Sequence, residues 1–406
     1  MKKLAKILIS ILISFRIFFL NYASKFENIY LKKDSDHYIK LSNDISYSFF
    51  NDNLYNYWLS TFRMPGYPLI LNVFHKIVDT RFLIYINFIA DLITLWILYK
   101  VLNKYVNEKY VYVGLILYLL NPNALISSTQ IMTESISTTL FFVTFYFFVE
   151  KKYVFTSFSL GLLGIVKPLG HYLLFLFLLL LLLKKNKSII NYLKISIFPI
   201  IFIGFIFVNN YIQYESTFYS TSSYFHLQWL NEASKSLCNN GDFNNPIVSE
   251  PGYVFENWLH KNNLTTKSES SILIKKLKNN ASNEVLENLS CKAYSMARSS
   301  VWNLFGIRRA NWSDVGLDYT TLNITLIFSL IYTVLINLSL TFSLYRAVKN
   351  KKIDLNLIII IFYIIISSTL PFGNSRTRVL IEPFLIFSFI DNINYIVNKK
   401  SDKSYF

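Results

Sequence analysis

Apolar residues along this chain fall in unbroken runs, and short polar stretches that are mostly lysine separate them. Typical runs are Leu173 to Leu183 and Leu357 to Leu370. Runs of roughly 11 to 25 residues with so few charges predict helices that cross a membrane, because lipid tolerates only backbone whose hydrogen bonds are closed internally. Counting such runs predicts about ten spans: 4–22, 82–101, 110–127, 134–150, 153–166, 169–183, 195–213, 321–345, 353–370 and 379–397. The fifth and sixth are short, at about 14 residues each, which suits a tilted or re-entrant helix. The expected fold class is therefore an all-α polytopic membrane protein.

Composition agrees with this pattern. The 406 residues are 53% hydrophobic, 17% aromatic and only 16% charged, beyond the apolar share of an ordinary soluble domain. A formal net charge of +16 would point to nucleic acid in a soluble protein. Here most of the basic residues lie between alternate spans, so the charge reads as topology and no nucleic-acid partner is expected. Lys2-Lys3, Lys100 to Lys109, Lys151-Lys152, Lys184 to Lys194, Arg346 to Lys352 and Lys399 to Lys403 make one consistent cytoplasmic set. Both termini are then expected in the cytoplasm. The first run follows Met-Lys-Lys and lacks a small-residue cleavage site, so it reads as an uncleaved anchor.

The outward connections are unequal. One of about 60 residues follows the first span, and one of about 100 residues, 214–320, follows the seventh. The longer one carries a predicted amphipathic helix near 268–289 and both cysteines, Cys238 and Cys291. An oxidising compartment would favour a disulfide between them, with two unpaired thiols as the alternative. No zinc-type ligand spacing occurs. No internal repeat or matched pair of broken helices is visible, which argues against a secondary transporter.

Candidate chemistry gathers on the outward side. In the first connection, Asp34-Ser35-Asp36-His37-Tyr38 places two carboxylates where membrane meets water, and Asp34 and Tyr38 would share a helical face. Solvated loop acids are the plainer reading. Further on, Phe62-Arg63-Met64-Pro65-Gly66-Tyr67-Pro68 sets an arginine in a proline-stiffened turn, suited to a phosphate oxygen or to snorkelling at the interface. Glu134 opens the fourth span as either a site carboxylate or a capping acid. Lys167 and His171 flank the Lys167-Pro168 corner as phosphate contacts or interfacial anchors. Arg376 and Arg378, before Glu382-Pro383, depart from the charge asymmetry and could hold a lipid phosphate. Asp91 lies mid-span and reads as a buried hydrogen bond to a neighbouring helix.

The order of these pieces resembles that of the GT-C glycosyltransferases. It runs from an acid and tyrosine in the first outer loop through Arg-X-Pro-Gly-Tyr-Pro, a Pro then Thr-Glu, and a basic-Pro corner, to Arg-X-Arg before the last span. The likeness is to the branch holding protein O-mannosyltransferases, aminoarabinose transferases and dolichyl-phosphate-mannose mannosyltransferase-like bacterial proteins. It covers 1–185 and, less fully, 370–395, and leaves out 214–320. The resemblance implies a transmembrane module over 1–213 with a catalytic first loop at 23–81, a cap segment at 214–320 and C-terminal helices over 321–406.

It also implies transfer of a sugar from a polyprenyl-phosphate donor to a lipid, glycan or protein acceptor at the extracytoplasmic face, with inversion. Asp34 would be the general base, Asp36 its fallback, and Glu134 a further acid. Tyr38, Arg63, Tyr67, Lys167, His171, Arg376 and Arg378 would bind substrate. Lys167 stands where many relatives carry arginine, keeping charge but losing the bidentate fork. No cofactor is expected, although Asp34, Asp36 and Glu134 could suit Mg or Mn. Competing expectations are a transporter or flippase of a lipid-linked glycan intermediate and an O-antigen polymerase- or ligase-like enzyme.

Overall fold

The computed structural model describes residues 2–48, 62–184, 188–222, 234, 238, 272, 275, 278, 279, 289–305, 319–351, 353–367 and 378–398. Among the described residues every regular element is helical. The helices are α1 (Lys2–Ala23), α2 (Glu27–Tyr30), α3 (Lys33–Ser48), α4 (Gly66–His75), α5 (Ile84–Tyr105) and α6 (Glu108–Leu119). Then come α7 (Pro122–Ser128), α8 (Glu134–Val149), α9 (Tyr153–Val166), α10 (Leu169–Leu183) and α11 (Ile189–Tyr214). The set ends with α12 (Leu289–Phe305), α13 (Tyr319–Asn350), α14 (Leu355–Ser367) and α15 (Glu382–Asn398). Short 3-10 turns at Thr80–Phe82 and Val379–Ile381 lead into α5 and α15.

The predicted spans coincide with these helices, but they are not equal. Five stretches are long and apolar enough to cross a membrane: Lys2–Ala23, Thr80–Tyr105, Ile189–Ile212, Thr320–Asn350 and Val379–Val397. Four apolar helices, α8, α9, α10 and α14, are shorter. The expected third span is not one rod. It breaks into α6 and α7 with a bend of 55°, because Pro122 cannot continue a helix and Asn121 caps the new one by accepting the Ala124 amide.

Small and hydroxyl-bearing residues let the helices approach closely, as packing in lipid requires. A Cβ added at Gly161 of α9 would meet the Phe202 ring of α11 at 2.5 Å. Thr139 of α8 donates to the Ala90 carbonyl of α5, and Thr144 of α8 to Ser159 of α9. Inside α11, Pro199 removes one helix donor, and the adjacent Phe198 amide donates to Ser157 of α9.

Charges inside the bundle are paired. Arg16 of α1 lies within the first expected span. It is buried and donates to Asp91 of α5 and to the carbonyls of Tyr118 and Leu119, which end α6. Tyr118 donates to the other carboxylate oxygen of Asp91 at 2.5 Å. The interhelical hydrogen bond expected of Asp91 is therefore present, but its partner is a cation. Arg346 of α13 likewise pairs with Asp391 of α15 at 2.7 Å. Arg16 and Asp391 thus add paired charges within the expected spans to Asp91.

The two ends of the bundle differ. One end gathers Lys2 with Glu108, Lys104 with Glu150, Lys184 over the Phe148 ring, and Arg346. The other holds the end of α1, α2 to α4, the α7–α8 turn, the Lys167-Pro168 corner and the start of α15. The Ile131 amide donates to the Tyr30 carbonyl there, and Asn123 of α7 donates to Glu382 of α15. Cys238 and Cys291 are disulfide-bonded. Most of 214–320, including most of the predicted helix at 268–289, lies outside the described residues.

Candidate functional site

Helix α3 starts at Lys33, so the acidic cluster occupies its first turn, where carboxylates favour the positive end of the helix dipole. Asp34 and Tyr38, one turn apart, meet the same partner. The Arg63 guanidinium lies 2.5 Å from Asp34 and 5.3 Å from the centre of the Tyr38 ring. It also contacts His37 Nδ1 at 3.3 Å and stacks near Phe62. Asp36 is exposed on another face of the helix. The Arg63 guanidinium thus closes onto the carboxylate expected to act as base.

The Pro65-Gly66-Tyr67 turn ties this cluster to the bundle. A Cβ at Gly66 would lie 2.7 Å from the Ile165 carbonyl oxygen, so only glycine allows the turn to rest on the end of α9. Tyr67 is buried edge-on against Tyr38, with ring centres 5.1 Å apart. Its hydroxyl meets Asn87 of α5, whose amide donates to the carbonyls of Gln130 and Met132 in the α7–α8 turn. Burial pushes the Tyr67 phenol well above the usual tyrosine range. It is a hydrogen-bonding group at neutral pH and not a base.

Glu134, the first residue of α8, is buried and faces Lys167 at 3.5 Å. A purely capping acid would not need that cation. Tyr38, Tyr67, Ile131, Ile136 and Val166 belong to one apolar cluster, which sets the Asp34–Arg63 and Glu134–Lys167 pairs around a shared base. His171 stands apart from the acids. Its ring packs against Tyr172 and Tyr219, and Tyr219 donates to the Gly164 carbonyl.

Arg376 lies outside the described residues. Arg378 was expected on an outward loop, yet it is fully buried. Its Nε donates to Glu382 Oε1 at 2.5 Å, an i to i+4 pair across the first turns leading into α15. The sequence carries the signal for this pair, since Arg378 and Glu382 stand four residues apart. Arg16 was missed although it and Asp91 are opposite charges well inside two apolar spans, a combination that itself predicts pairing. Among the described residues no three His, Cys, Asp or Glu side chains come together as a metal site.

Fold and site together define an all-α polytopic membrane protein with two ion pairs gathered at one end of its helices. A family model described as GPI transamidase subunit PIG-U matches residues 8–238, more than half of the chain, and the chain belongs to that family. No curated protein and no solved structure matches it. The family description is that of a membrane subunit, and it carries no specific GT-C assignment.

Proposed function

We propose that this chain is an integral membrane glycosyltransferase that moves a hexosyl or pentosyl group from a polyprenyl-phosphate donor to an acceptor hydroxyl or amine, with inversion. The observation that carries the reading is the convergence of Asp34, Tyr38, Arg63, Tyr67, Glu134 and Lys167 on one end of the bundle. Asp34 takes the acceptor proton as the acceptor attacks the anomeric carbon, and the bond from that carbon to the phosphate oxygen breaks. Arg63 orients the carboxylate in the resting site. Lys167 meets the charge that develops on the leaving lipid phosphate, while Glu134 holds the lysine in place. The expected phosphate role of Arg378 changes, since Glu382 already balances its charge. Lysines crowded at the opposite end and a disulfide between Cys238 and Cys291 support an extracytoplasmic site.

A second reading rests on the family description. A subunit of that family could bind a lipid-linked glycan for a partner enzyme and transfer nothing itself. Membranes holding the chain, given a polyprenyl-phosphate sugar donor, separate the two. Transfer that falls at least about a hundredfold in Asp34→Asn supports the enzyme. Equal transfer by Asp34→Asn and the parent chain sinks it. Absence of transfer in both, with the lipid-linked glycan still bound, favours the subunit. Mass spectrometry of envelope glycans with and without the chain then identifies sugar and acceptor together.

A further inference from the structure

Arg378 and Glu382 are fully buried, and their pairing is incomplete. Glu382 Oε1 accepts both from Arg378 Nε and, at 2.9 Å, from Asn123 Nδ2 of α7. Among the described residues, both terminal nitrogens of Arg378 and Oε2 of Glu382 have no hydrogen-bond partner. Ser137 of α8, the helix that packs on the Val379–Ile381 turn, is also buried with an unpartnered hydroxyl. Buried polar groups are rarely left unpaired, and a guanidinium fork beside a carboxylate oxygen is costly to bury unless something completes it.

The pattern of open positions selects the ligand. The pair is net neutral, so a phosphate approaching the guanidinium would also meet the carboxylate. A hydroxyl both accepts and donates, and two adjacent hydroxyls can accept from the arginine fork while one donates to Oε2. We infer that Arg378, Glu382 and Asn123 form a recognition site for a vicinal diol of a sugar. This deepens the proposed transfer reaction and rests on it. The chain segment from Asn123 to Glu134 joins this site to the Glu134–Lys167 pair, so sugar and lipid phosphate are read by separate groups. Arg378 is here a specificity-determining residue for the sugar.

The test uses the full chain in lipid nanodiscs and needs no variant in its first arm. Binding is measured for a panel of decyl glycosides, the monodeoxy forms of the tightest one, and decyl phosphate. Removing either hydroxyl of one adjacent pair is expected to weaken binding about tenfold or more, because it strands a buried protein group. In the second arm, Glu382→Gln leaves Arg378 unbalanced, and the preference is expected to turn toward decyl phosphate.

A flat deoxy series, failure of every glycoside to bind, or a Glu382→Gln variant with unchanged preference overturns the inference. The arms also keep this site distinct from the function it rests on. A flat series beside lost transfer in Asp34→Asn rejects the diol site and leaves the transferase standing. A discriminating series beside unchanged transfer in Asp34→Asn does the reverse.

Discussion

Replacing Arg16 by methionine removes the cation from a buried network that fastens α1 to α5 and α6. In the folded chain the guanidinium meets Asp91 and the carbonyls of Leu119 and Tyr118, and both charged side chains are almost fully buried. The carbonyls end α6, so the helix dipole favours a cation there as well. After the change Asp91 keeps only the Tyr118 hydroxyl among these partners. Breaking a buried pair by deleting one member costs about 3–5 kcal/mol. In a chain of this size that corresponds to a fall in melting temperature on the order of 5 °C.

The double change Arg16→Met with Asp91→Leu removes the stranded charge, and it leaves the Leu119 carbonyl without the Arg16 donor and the buried Tyr118 hydroxyl without its acceptor, about 1 kcal/mol each. It should therefore regain about 1–3 kcal/mol of the single-variant loss. Thermal melts of the detergent-solubilised protein, followed by size-exclusion chromatography, read both. If the double variant loses the sum of the two single losses, the residues are not coupled and the argument for an interlocking ion pair fails.

Two further outcomes follow from the same packing. Gly66→Ala drives a methyl into the Ile165 carbonyl and should destabilise the chain by about 1–3 kcal/mol; an unchanged melting curve would show that the turn does not press on α9. Replacing Cys238 and Cys291 by serine, which opens a link across 53 residues, should cost about 4 kcal/mol in the chain-entropy view. Equal melting with and without reductant in the parent chain would refute that link.

Much of the fold was legible because lipid imposes one rule on every residue. An unbroken apolar run with closed backbone hydrogen bonds must be helix, so the runs alone determined the all-α class, the helix positions and the lysine-rich end. The pairing of Arg63 with Asp34 was not legible, since Pro65 and Gly66 set the turn while contact with Ile165 aims it. Segment order placed Lys167 and Glu134 as separate candidates, and only packing of α8 beside α9 brought them to 3.5 Å. The same holds for Arg378. Its charge and its place before the last span are visible in the sequence, as is Glu382 four residues on. Burial of both, and Asn123 reaching them across the break at Pro122, exist only once α7 and α15 meet. Local sequence decides what each segment is, because hydrogen bonding and burial in lipid act residue by residue. The tertiary structure decides which charges neutralise one another, because pairing depends on distances that no single segment contains.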